Sequence, residues 1–284
     1  MRTIFVVVAL AISVSAPAAA AQTQKYTVVR DIDYVPQADY AGGKDRLDVY
    51  VPDGAKNAPV IFSIHGGLLM AGDRREDAFV GQRFAAAGYV TAVISYRLSP
   101  HVSHPGHIED TAAAFAWVKR NIARHGGDPD RILVTGHSAG AYLAMLLVAD
   151  PRWLAAHTLS PRDIKGVAPV SGFYWVDKPG VAPDRPKSVW GTDPKVWADA
   201  SPSRYLRGDL PPILIVDTDG DERWRQQQAA DLAAALRKAG HKDVATHKVL
   251  GRTHMSVWTE MNDSPTEETS THILRFAARV LNAR

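Results

Sequence analysis

Five consecutive residues, Gly136-His137-Ser138-Ala139-Gly140, carry the pattern G-x-S-x-G. A serine in that setting can act as a nucleophile if its backbone is held in a strained turn between a strand and a helix. The flanking sequence supplies both elements. Ile132-Leu133-Val134 leads in as a buried strand, and Ala141 to Val148, with Leu143, Met145, Leu146 and Leu147, continues as a buried helix. The glycines suit the turn, because side chains two residues either side of the serine would collide in it. The helix also points its positive end at Ser138. Without that context the pentapeptide is a weak sign, equally compatible with a surface serine in a glycine-rich turn.

A nucleophile of this kind attacks a carbonyl carbon, and the oxygen that becomes negative needs donors already in place. His65-Gly66-Gly67 closes a predicted strand at 59–65, upstream of the serine. Glycine lets the main chain approach closely, so the amides of Gly66 and Gly67 are expected to join that of Ala139 in a three-donor oxyanion hole. His65 is read as an orienting side chain and not as the base.

These groups need a frame. Eight short β-rich runs alternate with helical patterns: Tyr26–Tyr34, Leu47–Val51, Pro59–His65, Tyr89–Ser95, Arg131–Thr135, Val167–Val170, Ile213–Asp217 and Val244–Leu250. That alternation predicts an α/β protein with a mostly parallel eight-stranded sheet flanked by helices. Ile108, Ala112, Phe115, Val118 and Ile122 give the helix over 107–123 one apolar stripe. Ala229, Leu232, Leu236 and Ala239 repeat the pattern ahead of Gly240. The last helix carries a capping box, with Ser264 as N-cap, Pro265 in the first turn and Glu267 three residues on. Residues 171–210, rich in Pro and Trp and without periodicity, read as a cap-like insertion over the sheet's end.

The 284 residues are 46% hydrophobic and 22% charged, a composition that excludes disorder, collagen-like repeats and coiled coil as overall descriptions. With 33 basic and 30 acidic side chains the net charge is only +3, and no basic run suggests a nucleic-acid partner. There is no cysteine, which removes disulfides, thiolate metal sites, Fe–S clusters and a cysteine nucleophile together. Residues 1–21 read as a signal peptide: Arg2, an apolar run from Ile4 to Val14, and Ala19-Ala20-Ala21 for cleavage. The expectation is therefore an exported enzyme, periplasmic or secreted, whose α/β domain spans 22–284 and keeps no stable membrane association after cleavage.

The H-G-G and G-x-S-x-G motifs are accompanied by Tyr96-Arg97-Leu98-Ser99-Pro100, Gly126-Gly127-Asp128-Pro129 and Pro211-Pro212-Ile213-Leu214-Ile215-Val216. Together, over roughly residues 40–284, they resemble the α/β-hydrolase superfamily and specifically its H-G-G carboxylesterases, both hormone-sensitive-lipase-like and kynurenine-formamidase-like. Two positions depart from the pattern. Leu68-Leu69-Met70 stands where many relatives have Trp or another Gly, and His137 stands where one branch often has Asp.

The resemblance implies the chain order Ser, then Asp or Glu, then His. Similar proteins carry Gly-x-x-Asp after the strand 213–217, and placing Thr218 at that Gly puts the acid at Asp221, with Asp219 as its rival. His254 then falls where this fold delivers its base, 33 residues beyond Asp221. A metal reading of Asp217-x-Asp219-x-Asp221 fails the EF-hand pattern, since Glu222 replaces the needed glycine. His101, His104 and His107 are read as loop residues near the pocket mouth, because Pro105 and Gly106 break any helix between them. No metal or organic cofactor is expected. Acyl transfer from a small-molecule ester, apolar or aromatic, to water is the expected reaction. An amidase or arylformamidase would use the same three residues, and a non-catalytic binding protein on this scaffold is the alternative of another class.

Overall fold

The computed structural model describes residues 25–178 and 187–282. The leader expected at 1–21 and residues 179–186 of the expected insertion lie outside those described.

Eight strands form one sheet: β1 (Tyr26–Asp33), β2 (Arg46–Pro52), β3 (Ala58–Ile64), β4 (Val90–Ile94), β5 (Gly127–His137), β6 (Gly166–Val170), β7 (Ile213–Gly220) and β8 (Val244–Thr253), in the order β1-β2-β4-β3-β5-β6-β7-β8. β2 runs antiparallel to both β1 and β4, and all pairings from β4 to β8 are parallel. Every residue of β4 and β6 is buried, which is why these segments read as unbroken apolar runs and not as alternating ones.

The helices are α1 (Ala78–Ala86), α2 (Gly106–Asn121), α3 (Ala139–Ala149), α4 (Pro151–Ala155), α5 (Lys187–Trp190), α6 (Pro194–Asp199), α7 (Arg223–Lys238), α8 (Ser256–Thr259) and α9 (Glu268–Leu281). α2 buries the expected stripe of Ile108, Ala112, Phe115 and Val118. All eleven residues of α3 are buried, so this helix is enclosed on every side rather than amphipathic.

The structure corrects two sequence expectations. α1 has no counterpart among the predicted elements, because Gly81 interrupts its short Val80/Phe84 repeat. That glycine is a packing requirement, since a Cβ there would lie 2.2 Å from the Tyr50 ring. The last helix begins three residues later than its capping box implied. Glu267 is itself the N-cap, its carboxylate accepting from the amides of Thr269 (2.9 Å) and Ser270 (2.8 Å). An ionised carboxylate accepts two amide protons more strongly than a neutral serine hydroxyl can. Ser264 instead accepts from the Thr266 amide.

Within the expected insertion, Phe173, Tyr174, Val189 and Trp190 are buried. The Phe173 ring stacks on Tyr142 of α3 at 4.8 Å, and Trp190 meets both edge-on. These aromatics fix the segment to the helix that follows Ser138.

Candidate active site

β5 ends at His137, and Ser138 is the N-cap of α3 with φ 52° and ψ −111°. A non-glycine residue with positive φ stores strain that its surroundings must hold. The surroundings are main chain at close range. A Cβ on Gly140 would lie 2.0 Å from the Ile64 carbonyl oxygen, and one on Gly136 would lie 2.7 Å from both that oxygen and the Gly140 carbonyl. Side chains at either position would push β5, α3 and β3 apart, so the two glycines are what permit the turn.

His254 follows the end of β8, and Asp221 follows the end of β7. The structure brings both to Ser138. His254 Nδ1 donates to Asp221 Oδ1 at 2.6 Å, and its Nε2 lies 3.1 Å from Ser138 Oγ, placed to accept the hydroxyl proton. The second carboxylate oxygen of Asp221 accepts from Ser171 Oγ (2.6 Å) and the Thr218 amide (3.2 Å). Arg225 Nε lies 3.9 Å from the same carboxylate, while its Nη1 donates to the Ser171 carbonyl. Burial by itself pushes the Asp221 pKa up, but the hydrogen bonds from His254 and Ser171 outweigh it and hold the group below the usual range. Asp219, the rival acid, is exposed and accepts from the Gly251 amide at 2.8 Å, tying β7 to the turn of β8.

Gly66 lies against the serine, since a Cβ on it would be 3.4 Å from Ser138 Cβ, and Gly67 follows it. Their amides are aimed from behind. Tyr96 OH donates to the His65 carbonyl (3.0 Å) and reaches the Gly66 carbonyl (3.3 Å), and His65 Nδ1 donates to Gly66 O at 2.7 Å. In a planar trans peptide the C=O and N–H point oppositely, so fixing these two carbonyls turns the Gly66 and Gly67 amides the other way. Gly67, at φ 101°, has the Ala71 carbonyl where a Cβ would go. The Ala139 amide, first in α3, has no carbonyl one turn back to bond. His65 is stacked on Tyr96 at 4.2 Å, and burial depresses its pKa to about 4. It is a neutral orienting group.

A cavity of about 540 Å³ opens above Ser138. Leu68, Phe79, Met255 and Trp258 supply its apolar wall, with Asp73, Glu76, Asp77, Glu222 and Arg225 around it. Among the aromatic residues nearby, Trp258 lines the cavity, whereas Phe173 and Trp190 pack on α3. Asp77 is buried and accepts from Trp258 Nε1 at 3.0 Å, and burial pushes its pKa up to about 7.

No motif pointed to Ser171, Arg225 or Asp77: Ser171 and Asp77 reach the site from distant segments, and Arg225 stands one turn beyond Asp221 at the start of α7. Tyr96 lay in a recognised motif without an assigned role. Asp110 is buried and clamps Arg97 through both carboxylate oxygens. His104 faces Asp199 and His107 faces Ser99. Asp217 pairs with Lys248, so the three aspartates of 217–221 serve three different partners. Two groups of potential ligands occur among the described residues, Asp221–Glu222–His254 at this site and His247–Glu268–His272 at the β8–α9 contact.

Comparison with known proteins places the same segments in context. The BD-FAE family model matches residues 47–152. Esterase LipQ of Mycobacterium tuberculosis is 32% identical over 242 residues, 80% of this chain and 55% of that protein. The probable carboxylic ester hydrolase LipM of the same organism is 30% identical, over 75% of this chain and 54% of its own. The chain therefore spans about half the length of the curated relatives it matches. Among solved structures, inhibited esterase B from Lactobacillus rhamnosis superposes with a TM-score of 0.76 at 23% identity, covering 90% of this chain and 87% of that one. Propionate-bound esterase 2 of Thermogutta terrifontis gives 0.72 at 23% identity, with coverage of 93% and 97%. The sheet order and flanking helices described above are the fold these neighbours share.

Proposed function

We propose that the chain is an α/β-hydrolase of the carboxylesterase group and that it hydrolyses carboxylic esters through an acyl-enzyme on Ser138. The observation that carries this reading is the continuous hydrogen-bonded line from Ser138 Oγ through His254 to the buried Asp221 carboxylate. His254 Nε2 takes the hydroxyl proton as Oγ attacks the ester carbonyl carbon, and Asp221 holds the ring and offsets the charge that develops on it. The carbonyl oxygen, now negative, is received by the amides of Gly66, Gly67 and Ala139. Collapse expels the alcohol, which takes the proton from His254. Water, deprotonated by the same ring, then attacks the acyl carbon, and a second tetrahedral collapse frees Ser138 and releases the acid.

The cavity suits a small neutral ester. Leu68, Phe79, Met255 and Trp258 offer apolar contact, while the nearby carboxylates are already paired, Asp73 with Lys44 and Arg75 and Glu222 with Arg225, and leave no free cation among the described lining residues to hold a charged substrate. Export, with cleavage after Ala21, is part of the same proposal and rests on the sequence of residues 1–21. A panel of p-nitrophenyl esters beside N-formylkynurenine, run on purified protein, tests the activity. Ester turnover well above that of the formamide, with fluorophosphonate labelling of Ser138, is the expected result. Preferential formamide cleavage would reassign the substrate class, and labelling of another serine would overturn the mechanism.

A further inference from the structure

His137, the residue before the nucleophile, is buried with its ring between three parts of the site. Its Nε2–H donates to the backbone carbonyl of His254 at 2.7 Å. One face lies 4.7 Å from the His254 ring, and the ring stacks on Trp258 at 5.6 Å with 16° between the planes. On the oxyanion side, a Cβ on Gly66 would come within 3.2 Å of Nδ1. Trp258 is itself anchored by the bond from its Nε1 to Asp77 on the segment before α1.

From this arrangement we infer that His137, backed by Trp258 and Asp77, is a positioning residue that fixes the distance between Ser138 and His254. The inference rests on the proposed role of those two residues. The bonds form a short closed circuit: Ser138, its peptide link to His137, the His137 Nε2–H bond to the His254 carbonyl, and the His254 ring back to Ser138 Oγ. Asp221 holds the ring of the base through Nδ1, but His254 stands between the exposed residues Thr253 and Met255. A carbonyl tethered one residue from the nucleophile gives that stretch of backbone little freedom to drift. The acceptor is a carbonyl, so the proton must sit on Nε2 of His137. Burial, with the neighbouring His254 ring adding to it, depresses the His137 pKa to about 3. The ring thus stays neutral beside an imidazole that becomes cationic during turnover.

Two amide substitutions separate this role from general packing. Gln at 137 can place an N–H near the position of Nε2, whereas the shorter Asn reaches only the position of Nδ1. Each variant would be purified and its active sites titrated with a fluorophosphonate, with kcat then expressed per titrated site. We expect His137→Asn to lose roughly 10- to 100-fold in kcat per site with KM changed less than about threefold, and His137→Gln to recover most of that loss. A purely structural role would lower the titrated fraction and leave turnover per site intact, which would overturn the inference. Equal kcat per site in the two variants would overturn it as well. Failure of the wild-type protein to label at Ser138 would instead strike the proposed function itself.

Discussion

Replacing Asp221 by Asn changes one atom of the site and tests its electrostatics. One side of the carboxylate already receives two donors, the Ser171 hydroxyl and the Thr218 amide, so the amide oxygen of an asparagine must go there. Its NH2 group then faces His254 Nδ1, where Oδ1 now accepts at 2.6 Å. Two donors cannot face each other, so the imidazole shifts its proton to Nε2 and loses the lone pair that Ser138 requires. The change should cost roughly 10⁴-fold in kcat, about 5 kcal/mol of transition-state stabilisation. Asp219→Asn is the internal control. Its side-chain oxygen still accepts from the Gly251 amide, so a few-fold loss at most is expected. Initial rates on a p-nitrophenyl ester at pH 7–8, normalised by active-site titration and compared at equal circular dichroism, decide the matter. Near-normal activity of Asp221→Asn with an inactive Asp219→Asn would refute the reasoning and move the acid two residues upstream.

Ser138→Ala should lose up to about 10⁶-fold in turnover while melting like the wild type, read by steady-state kinetics and a thermal scan. Gly81→Ala should destabilise the fold by about 1–3 kcal/mol in urea, because the added methyl meets the Tyr50 ring. Turnover per titrated site should be unchanged in that variant. Acid should also weaken the fold. Burial lowers the folded-state pKa of His65 and His107 to about 4 and of His137 to about 3, all below the ordinary 6.5. The unfolded chain therefore takes up protons that the folded chain refuses, and stability present above pH 6.5 is lost as the pH falls below it. Asp77, Asp110 and Asp217, whose pKa burial raises, act oppositely, the contribution of Asp77 being lost as the pH rises through about 7, but His104, His125 and His157 are held low together with the other three histidines. Tm should fall between pH 6.5 and 4, less steeply for His107→Gln, and a Tm that rises on acidification would contradict this account.

What was legible in the sequence follows the range of the interactions. Gly136, Ser138 and Gly140 form a local turn, so strand, glycines and helix could be recognised together. Asp221 needed a family pattern, because spacing alone left Asp219 open. Their separation came only from the site geometry, where Asp221 faces His254 and Asp219 faces Gly251. Long-range contacts left no periodic trace. His137 meets His254 across 117 residues and Asp77 meets Trp258 across 181, and no spacing rule reaches that far. α1 was hidden by Gly81, a poor helix former whose reason lies on another element. The aromatic residues of the insertion left two roles open, pocket wall or packing, and Phe173 and Trp190 turn out to be packed against Tyr142 of α3.

The enclosure of α3 has a consequence for how the chain reaches its native state. A helix apolar on every face cannot dock by one stripe and leave the rest in water. Until β3, β5, β6 and the insertion have closed around it, a run such as Leu143-Ala144-Met145-Leu146-Leu147-Val148 exposes adhesive surface in any orientation. Partly folded chains that expose such segments associate with one another at micromolar concentrations and above. The segment that makes the nucleophile turn possible is thus also the one that makes incomplete folding hazardous. Refolding yield should consequently depend on protein concentration, with dilution favouring recovery of active enzyme over aggregate.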